Sequence, residues 1–539
     1  MMLDDLILGA RPKGRTALAA RWIVAHQDDG HRLLENGEIV IDRDRVLYVG
    51  PRFEGEVARR IDLGNVLVSP GFIDLDALSD LDTTTLGVDC GPAWAKGRVW
   101  PQTYVDRGPY EMYPPEELAF QKRFSFAQLL CNGVTSALPI ASLFYREWGE
   151  TAAEFEAAAD AAGELGLRVW LGPAFRSGGM VCTAPAVLEP RFDEARGLAG
   201  LDDALAFIRS QSGRFEGLVQ GMLAPDRVET CTQALLIRTM DAARDMEIPV
   251  RLHMAQGQME WDTVQALHGS TAPQWLAGFG ALNDRLIAPH ATYATEQDLS
   301  LYVDHGVTVA HCPLVFARSG AMLRSFAKLR SMGVKIGMGT DTAPPDMVLN
   351  MAVGVMMARM AGDSLSETAP EHLFDAATLG GAAALGRSDL GRLKEDAKAD
   401  IAVFDMSDAL MAPQVDPIRT LVLGATGRVT KAVFVDGRLS MRDGKVAGLD
   451  WDEARPGLSD SLKGWWRNIP TAPGGILRYR TFSPRPFRRF ADCNPSKRKG
   501  FIAWERQGTR NRVRCRHDEY AQGYSAPHPT GCAKDTESG

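Results

Sequence analysis

The sequence has few of the features that mark secreted, membrane-spanning or disulfide-rich proteins. Its eight cysteines are spread over 539 residues without a Cys-x-x-Cys pair, so neither a disulfide framework nor a structural zinc site is expected. No run of about 18 uncharged apolar residues occurs, which argues against a membrane span. The opening residues, Met1 to Asp5, lack the basic and apolar segments of a signal peptide. Together these absences predict a cytoplasmic protein.

Charge is distributed unevenly along the sequence, with an excess of acidic residues before residue 470 and of basic residues after it. Residues 471–539 carry 14 Lys and Arg against 6 Asp and Glu, so the overall charge of −8 hides a strongly acidic body. An acidic body argues against an enzyme of nucleic acids, because phosphate backbones favour basic surfaces. Aromatic residues among the tail arginines are compatible with a nucleic-acid-binding arm, but such a block is more often a solvated or fused extension. We therefore predict no nucleic-acid partner.

Short strands at both ends of the body predict one small β domain. Near the start, three short stretches rich in apolar and β-branched residues are separated by turn residues; they are Arg21–Ala25, Glu38–Ile41 and Val46–Val49. The same pattern returns at Ile401–Phe404 and Ala432–Val435. We expect these two flanks to combine into a β-sandwich around a long central segment.

The central segment alternates strand-like and helix-like stretches, which predicts parallel β/α units. Helical spacing is clear in Thr151–Gly166, Asp202–Gln211 and Thr232–Met246. Eight repeats fit an α/β fold of the closed (β/α)8 TIM barrel type. The predicted strands are Val68–Ile73, Thr135–Leu138, Arg168–Leu171, Leu218–Leu223, Val250–His253, Leu286–Pro289, Val307–Ala310 and Val334–Met338. The predicted domains are 1–68 and 391–455 for the two parts of the sandwich, 69–390 for the barrel and 456–539 for the tail.

Chemistry-bearing residues stand at the ends of four successive predicted strands. His253 ends strand five, His290 strand six, His311 strand seven and Asp341 strand eight. Barrel enzymes carry their active sites at this end. A single histidine beside an apolar strand is usually structural, but three in a row beside a carboxylate indicate a site. Imidazole and carboxylate ligands together suit Zn²⁺, Fe²⁺ or Mn²⁺.

The chain resembles the amidohydrolase superfamily, in the branch of aminohydrolases and chlorohydrolases that includes triazine hydrolase-like and guanine deaminase-like enzymes. The resemblance covers roughly residues 17–450, and the order and spacing of its short motifs make it specific. These motifs are Asn36-Gly37-Glu38-Ile39, Pro70-Gly71-Phe72-Ile73-Asp74, Gly133-Val134-Thr135, His253-Met254-Ala255, His311-Cys312-Pro313 and Gly339-Thr340-Asp341.

The resemblance implies one divalent metal ion, most often zinc, that activates a water molecule for hydrolysis. His253 and Asp341 match metal ligands of the family, and Asp341 also matches the base. His290 matches the residue that orients the water, and His311 a histidine near the substrate. The family fold is the same barrel with a β flank.

The metal site departs from the family pattern on strand one. The family has His-x-His there, whereas this chain has Asp76-Ala77-Leu78. Asp76 is able to coordinate a cation and Leu78 is not, while Asp80 and Asp82 are nearby candidates for an oxygen ligand. A metal site made of His253, His290, Asp341 and Asp76 is chemically reasonable. In such a site His290 binds the metal ion directly. The alternative is a metal-free, non-catalytic relative that serves as a binding protein.

A second departure affects the leaving group. Deaminases of the family carry Glu where this chain has Gln256, and an amide cannot pass a proton to a departing amine. Glu260 and Asp262 are candidates for a replacement acid. Chloride leaves as an anion, so Gln256 favours a chlorinated heteroaryl ring, such as a chloropyridine carboxylate or a chlorotriazine. Displacement of an amine, or hydrolysis of an amide or urea, is the alternative.

The substrate is expected to meet the long loop after strand one, Gly87–Tyr113. Trp94 and Trp100 are candidates for stacking on a flat ring and Arg98 for binding a carboxylate. An equally good interpretation is that these aromatic residues pack the loop or a subunit interface. We therefore predict a metal-dependent hydrolase with a small N-heterocyclic substrate, water as co-substrate, and a homodimeric assembly.

Overall fold

The computed structural model describes residues 3–82, 99–102, 105, 113–141, 149–184, 187–323, 326–362 and 365–468. All of them belong to the first of two units, Met1–Pro484. The second unit, Arg485–Gly539, lies outside the described residues, as does the predicted tail from residue 469 onward. Of the three predicted domain boundaries, the one at 455/456 falls within a helix, Trp451–Asn468. The others stay predictions.

Within the described residues, twenty strands form four sheets. In chain order they are β1 (Thr16–Gln27), β2 (Gly30–Asp42), β3 (Arg45–Gly50), β4 (Arg59–Asp62), β5 (Val66–Pro70), β6 (Phe72–Leu78), β7 (Val99–Pro101), β8 (Val134–Ile140), β9 (Arg168–Leu171), β10 (Gly178–Ala184), β11 (Val187–Phe192), β12 (Val219–Gly221), β13 (Val250–Arg251), β14 (Leu286–Pro289), β15 (Thr308–His311), β16 (Lys335–Met338), β17 (Ile401–Asp405), β18 (Thr430–Val435), β19 (Arg438–Arg442) and β20 (Lys445–Val446).

Eight of these strands make the barrel predicted from the sequence. They form two parallel four-stranded sheets, ordered β12-β9-β8-β6 and β13-β14-β15-β16. A parallel bridge between Leu223 and Val250 joins the two sheets on one side. On the other side, the backbone N–H of Asp341 after β16 donates to the carbonyl of Asp76 on β6 at 2.7 Å. The predicted strands at Arg168–Leu171 and Leu286–Pro289 agree with the observed bounds.

Both chain ends contribute to one nine-stranded sheet. Its order is β20-β19-β18-β17-β5-β1-β2-β3, with β4 paired to β1. The two halves meet where β5 runs antiparallel to β17, with Val68 opposite Val403. The sequence flanks therefore join as expected, and the folding of this sheet into a two-layered sandwich stays a prediction.

A small third sheet was not predicted. β10 and β11 form an antiparallel hairpin, and β7 pairs parallel to β10 with Trp100 opposite Val181. The turn of this hairpin has no Asn-Gly or Asp-Gly dipeptide. Every residue of β11 is exposed, so no alternation of apolar and polar residues marks that strand.

The helices of the barrel begin at side-chain caps and often end at glycine. Thr151, Thr232 and Thr295 each accept a backbone N–H at a helix start. The helix predicted from Asp202 starts earlier because Asp193 caps it. The helices are Pro115–Cys131, Ala152–Leu165, Glu194–Gln211, Arg214–Gly217, Gln233–Met246, Gln258–His268, Ala272–Gly278, Glu296–His305, Pro313–Arg318, Phe326–Ser331, Met347–Gly362, Pro370–Asp375, Gly381–Ala384, Pro417–Gly424 and Trp451–Asn468, with shorter helical turns at Val228–Thr230, Ala376–Gly380, Ala409–Met411 and Gly427–Val429.

None of these helices, within the part of the chain that the structure describes, is long and apolar enough to cross a membrane.

A buried ion network ties the barrel to the nine-stranded sheet. Arg168, at the start of β9, donates two 3.1 Å hydrogen bonds to the carboxylate of Asp400 and a third to Asp436. The backbone N–H of Asp436 in turn donates to Asp400 at 2.7 Å. All three side chains are at most 3% exposed. Because a buried charge without its partner is costly, this network holds the two sheets in one arrangement.

We expect Arg168→Met to destabilise the fold strongly. The substitution leaves two carboxylates buried beside an apolar side chain, at a cost of about 3–5 kcal/mol in the free energy of unfolding. Urea denaturation followed by fluorescence and circular dichroism measures this change. The control is Arg238→Met, which removes an ion pair with Asp202 whose side chains are 50% and 60% exposed and should change stability by about 0–1 kcal/mol. Equal effects of the two variants would contradict the prediction.

Candidate active site

The ends of β6, β13, β14 and β16 bring four of the predicted site residues to one end of the barrel. Asp76 lies within β6, which is buried along its whole length. His253 follows the short strand β13 and is bridged to Arg227, and His290 follows β14 and is bridged to Met254. Asp341 follows β16 and is joined to Asp76 by the backbone hydrogen bond that closes the barrel.

Asp76, His253 and His290 form a compact group of metal-ligand type. The imidazole Nε2 atoms of His253 and His290 lie 3.5 Å and 3.9 Å from Oδ2 of Asp76. One ligand atom from each residue lies within 4.8 Å of the others. Asp341 approaches the same imidazole, with its Oδ2 at 3.6 Å from Nε2 of His290. The structure therefore brings together the four residues proposed as ligands from the sequence.

Leu78 is buried within β6 and offers no donor atom. Asp82, a candidate extra ligand, instead accepts hydrogen bonds from Thr342 Oγ1 at 2.7 Å and from the backbone N–H of Ala343 at 3.2 Å. The carboxylate of Asp82 is thus used to fix the loop after β16.

The backbone around the site is strained. His290 has φ +80° and Asp341 has φ +44°, in the left-handed region that bulky side chains rarely adopt. Hydrogen bonds hold both residues there, since the N–H of His290 donates to Ala310 O at 2.9 Å and that of Asp341 to Asp76 O. Strain of this kind persists where the surroundings over-determine it, and it clusters at functional sites.

Gly339 allows β16 to approach Asp76. A Cβ atom at this position would lie 2.7 Å from Cβ of Asp76 and 2.8 Å from Sγ of Cys312. Any side chain here would push Asp341 away from the group. Cys312 itself is fully buried and its Sγ lies 3.8 Å from Oδ2 of Asp76.

Asp74 supports the site from beneath. Its carboxylate accepts hydrogen bonds from the backbone N–H and the hydroxyl of Thr340, and from the backbone N–H of Asp76. Complete burial raises the pKa of Asp74 to about 6, against these hydrogen bonds, which lower it. Asp74 therefore links the end of β6 to the loop that carries Asp341.

A buried arginine, missed in the sequence, lies against Asp76. The guanidinium Nη1 of Arg251 is 3.7 Å from Oδ1 of Asp76, and both side chains are 0% exposed. Burial lowers the pKa of this guanidinium, while the neighbouring carboxylates oppose the shift. The signal was present in the sequence, because Arg251 interrupts an apolar strand two residues before His253. Residues at that spacing share one face of a strand.

Gln256 has its side-chain orientation set by a second arginine. Arg227 Nη1 donates to Oε1 of Gln256 at 2.6 Å, and Arg227 Nε donates to Glu229 at 2.6 Å. Among the described residues nothing accepts a hydrogen bond from Nε2 of Gln256. The amide oxygen is therefore occupied, and the side chain has its donor group to offer to a ligand.

Glu260, a candidate replacement acid, is used inside the protein. Its carboxylate accepts the backbone N–H groups of Ala255 at 2.5 Å and Gln256 at 2.6 Å. Burial, together with the charge of Glu229, raises the pKa of Glu260 to about 8. Asp262 is exposed and accepts a hydrogen bond from Gln258. Neither residue takes the position of the missing glutamate.

His311 ends β15 and stays apart from the ligand group. Its ring packs against Phe326, with 5.3 Å between centroids. Burial lowers its pKa to about 4, so the imidazole is neutral at pH 7. No described residue hydrogen-bonds its Nδ1. Its predicted role toward the substrate stays a prediction.

The predicted substrate-binding residues are only partly described. Trp94 and Arg98 lie outside the described residues. Trp100 lies on β7, is 5% exposed, and packs under the guanidinium of Arg176 at 4.9 Å. Arg176 is in turn paired with Asp226 at 3.2 Å. This contact favours the packing interpretation for Trp100 over ring stacking with a substrate.

Comparisons with known proteins identify the family of this chain. The profile of the amidohydrolase family matches residues 67–440. The 5-methylthioadenosine/S-adenosylhomocysteine deaminase of Nitratidesulfovibrio vulgaris is 27% identical over 452 residues, which is 81% of this chain and 94% of the relative. The enzyme of that name, numbered 2, from Archaeoglobus fulgidus is 27% identical over 428 residues, or 77% and 92%.

Solved structures of the same fold hold zinc. Atrazine chlorohydrolase from Arthrobacter aurescens TC1, complexed with zinc, has a TM-score of 0.69 at 21% identity and covers 83% of this chain and 100% of its own. An adenosine deaminase from Xanthomonas campestris with bound zinc has a TM-score of 0.66 at 20% identity, with coverage of 84% and 98%. At these identities the likeness shows the fold, a TIM barrel.

We expect Glu260 to make stability depend on pH. Its folded-state pKa of about 8 lies above the ordinary value of 4.5, so its contribution is fully present below pH 4.5 and is lost as pH rises through 8. The unfolding temperature of the wild type should therefore fall between pH 5 and pH 9, and Glu260→Gln should remove part of that fall. Scanning fluorimetry across this range measures the difference. Glu189→Gln, at a side chain that is 52% exposed, is the control, and parallel slopes for all three proteins would refute the assignment.

Proposed function

We propose that this chain, which belongs to the amidohydrolase family and is a hydrolase of that superfamily, displaces chloride or an amine from an N-heteroaromatic ring. A chlorinated ring, such as a chloropyridine carboxylate or a chlorotriazine, is the favoured substrate class. The observation that carries the proposal is the convergence of Asp76, His253 and His290 at the end of the barrel. The homodimer and the cytoplasmic location stay predictions.

The donor set fits a divalent metal ion. Two imidazoles and a carboxylate lie within 4.8 Å of one another, and Asp341 adds a second carboxylate beside His290. Such mixed nitrogen and oxygen sets suit zinc, and they also suit iron and manganese. Oδ2 of Asp76 is the oxygen that faces both imidazoles, so it is the oxygen suited to bind the ion. We propose His253, His290, Asp76 and Asp341 as the residues that hold the ion, with zinc as its identity.

Asp341 is the base in the proposed reaction. When bound, the metal ion would lower the pKa of a water molecule to about 7. Asp341 is suited to accept the proton of that water, because its side chain is 20% exposed whereas Asp76 is fully buried. His290 stands between the two carboxylates, where its Nε2 is proposed as a ligand of the ion; the alternative role of this imidazole is to orient the water. The neutral imidazole of His311 is proposed to polarise the substrate from the next strand.

The amide of Gln256 is suited to a leaving group that departs without being protonated by a general acid. With Oε1 held by Arg227, its Nε2 donates a hydrogen bond to a ring nitrogen or to the leaving group. An amide donor stabilises negative charge that builds up on such an atom, but it transfers no proton. Chloride meets this condition because it leaves as an anion. A glutamate at this position would instead pair with Arg227, which would hold it ionised.

Displacement of an amine is the second candidate. The relatives from Nitratidesulfovibrio vulgaris and Archaeoglobus fulgidus are named as deaminases of 5-methylthioadenosine and S-adenosylhomocysteine. A substrate of this type would require a proton donor other than Gln256. The proposals for Trp94 and Arg98 as contacts to the ring and to a carboxylate apply to either reaction.

We expect the purified protein to contain about one equivalent of a divalent metal ion. Elemental analysis by ICP-MS on protein prepared without a His-tag measures the content. His253→Ala should lose the ion because it removes a ligand, whereas His305→Ala, at an exposed helix end, should keep it. A wild-type protein that stays metal-free after reconstitution with zinc, cobalt or manganese would contradict the proposed mechanism.

The choice of leaving group should change with residue 256. We expect the wild type to favour a chlorotriazine over an aminotriazine that differs only in the leaving group. Gln256→Glu with Arg227→Met should lower this ratio of kcat/KM about tenfold or more, since a positioned general acid contributes about 100-fold or more. Gln256→Glu alone should do less, because Arg227 keeps the new carboxylate ionised. Gln297→Glu, at an exposed position, is the control; an unchanged ratio in the double variant would refute the role of Gln256.

A further inference from the structure

The two oxygen atoms of the Asp76 carboxylate face different groups. Oδ1 faces the guanidinium of Arg251 at 3.7 Å. Oδ2 faces the imidazoles of His253 and His290 at 3.5 Å and 3.9 Å. One oxygen is therefore directed to a permanent cation and the other to the proposed metal ligands.

Arg251 is fixed in this position. Its Nη1 donates to the carbonyl of Leu138 at 2.6 Å and its Nη2 to that of Pro139 at 3.3 Å. Both carbonyls belong to β8, which lies next to β6 in the barrel. The guanidinium has no exposed surface. It therefore cannot exchange its contact with Asp76 for a contact with water.

Arg251 also changes what the site needs for charge balance. The carboxylates of Asp76, Glu150, Asp341 and Asp74 all act on its guanidinium. Several carboxylates thus surround one fixed cation. The guanidinium of Arg251 offsets one negative charge, which we assign to Asp76, and the remaining carboxylate charge is available to a metal ion. On β6 the residue in line for a further ligand is Leu78, which supplies no donor.

We propose that Arg251 is a built-in counter-cation of Asp76: it keeps the site assembled when no metal is bound, and it weakens the binding of a divalent ion, which is therefore exchangeable. This inference rests on the proposed metal centre. Arg251 acts through Asp76 and is a positioning residue. Without it, the buried carboxylate of Asp76 would keep only the imidazoles of His253 and His290 as partners in the metal-free protein, and the loss of its permanent cation would destabilise that protein. With it, the bound ion is repelled by a cation that shares its carboxylate.

The experiment compares the full-length protein with three variants in EDTA and with added Co²⁺. Arg251→Met removes the charge but keeps much of the apolar bulk. Arg251→Lys keeps the charge. Asp76→Asn combined with Arg251→Met neutralises both partners. The readouts are the unfolding temperature and the Co²⁺ dissociation constant from the visible spectrum and calorimetry, neither of which depends on catalysis.

The wild type should be stable in EDTA and gain only a small increase in unfolding temperature with Co²⁺, because an ion that binds weakly to the folded state stabilises it little. Arg251→Met should unfold at a lower temperature in EDTA, regain stability with Co²⁺, and bind Co²⁺ about tenfold or more tightly than the wild type. If it folds only when Co²⁺ is present, that outcome also supports the proposal. Arg251→Lys should keep an affinity near that of the wild type. The double variant should be stable in EDTA and bind no Co²⁺.

Two results would overturn the inference while leaving the metal centre standing. One is Co²⁺ binding of equal or lower affinity in a folded Arg251→Met protein. The other is a double variant as unstable as the single one, which would mean that Arg251 serves only to hold the carbonyls of Leu138 and Pro139. Binding of Co²⁺ by neither the wild type nor Arg251→Met would overturn the proposed metal centre together with the inference.

Discussion

The site depends on how a single buried carboxylate, that of Asp76, is compensated. A buried charge needs a partner within a few ångströms, and Asp76 finds its partners on strands that are far apart in sequence: Arg251 and His253 after β13, and His290 after β14. The same residue accepts the backbone hydrogen bond that closes the barrel at Asp341. Closure of the barrel and assembly of the site therefore satisfy one requirement, and Gly339 makes both possible by leaving room for Asp76.

The strain at this end of the barrel follows from that requirement. Ala255, His290 and Asp341 all have positive φ values, of +53°, +80° and +44°. Such conformations are unfavourable for residues with a side chain. Each is held by the backbone of a neighbouring strand or loop; Ala255, for example, accepts a hydrogen bond from Tyr293 at 2.8 Å. The strands are thus bent at their ends so that side chains from four of them converge on one point.

The sequence predicted the barrel and the end of it at which His253, His290 and Asp341 lie, because both depend on local patterns, whereas Asp76 was proposed as a ligand from the resemblance to the family. Apolar runs of strand length set the eight strands, and a polar residue directly after such a run locates the end that carries His253, His290 and Asp341. Arg227 and Arg251 were missed for a different reason. Arg227 contacts Gln256, which is 29 residues away in the chain, and no periodicity predicts such a contact. Arg251 is visible in the sequence as a charge within an apolar strand, but its partner Asp76 lies on another strand, and the sequence pattern does not predict that pairing. The sheet of β7, β10 and β11 was missed because its strands lack alternating burial.

The departures from the family pattern compensate one another in charge. The pattern implied by the resemblance offers neutral imidazoles and one aspartate, a net charge of −1. This chain adds a negative charge at Asp76, cancels it with Arg251, and retains Asp341, so the net charge offered to a divalent ion is again −1. The ligand count does not compensate, since Leu78 supplies no donor. In this chain the aspartate on strand one has a buried cation beside it, and the position two residues before His253 is able to supply that cation because residues at that spacing share a face of the strand.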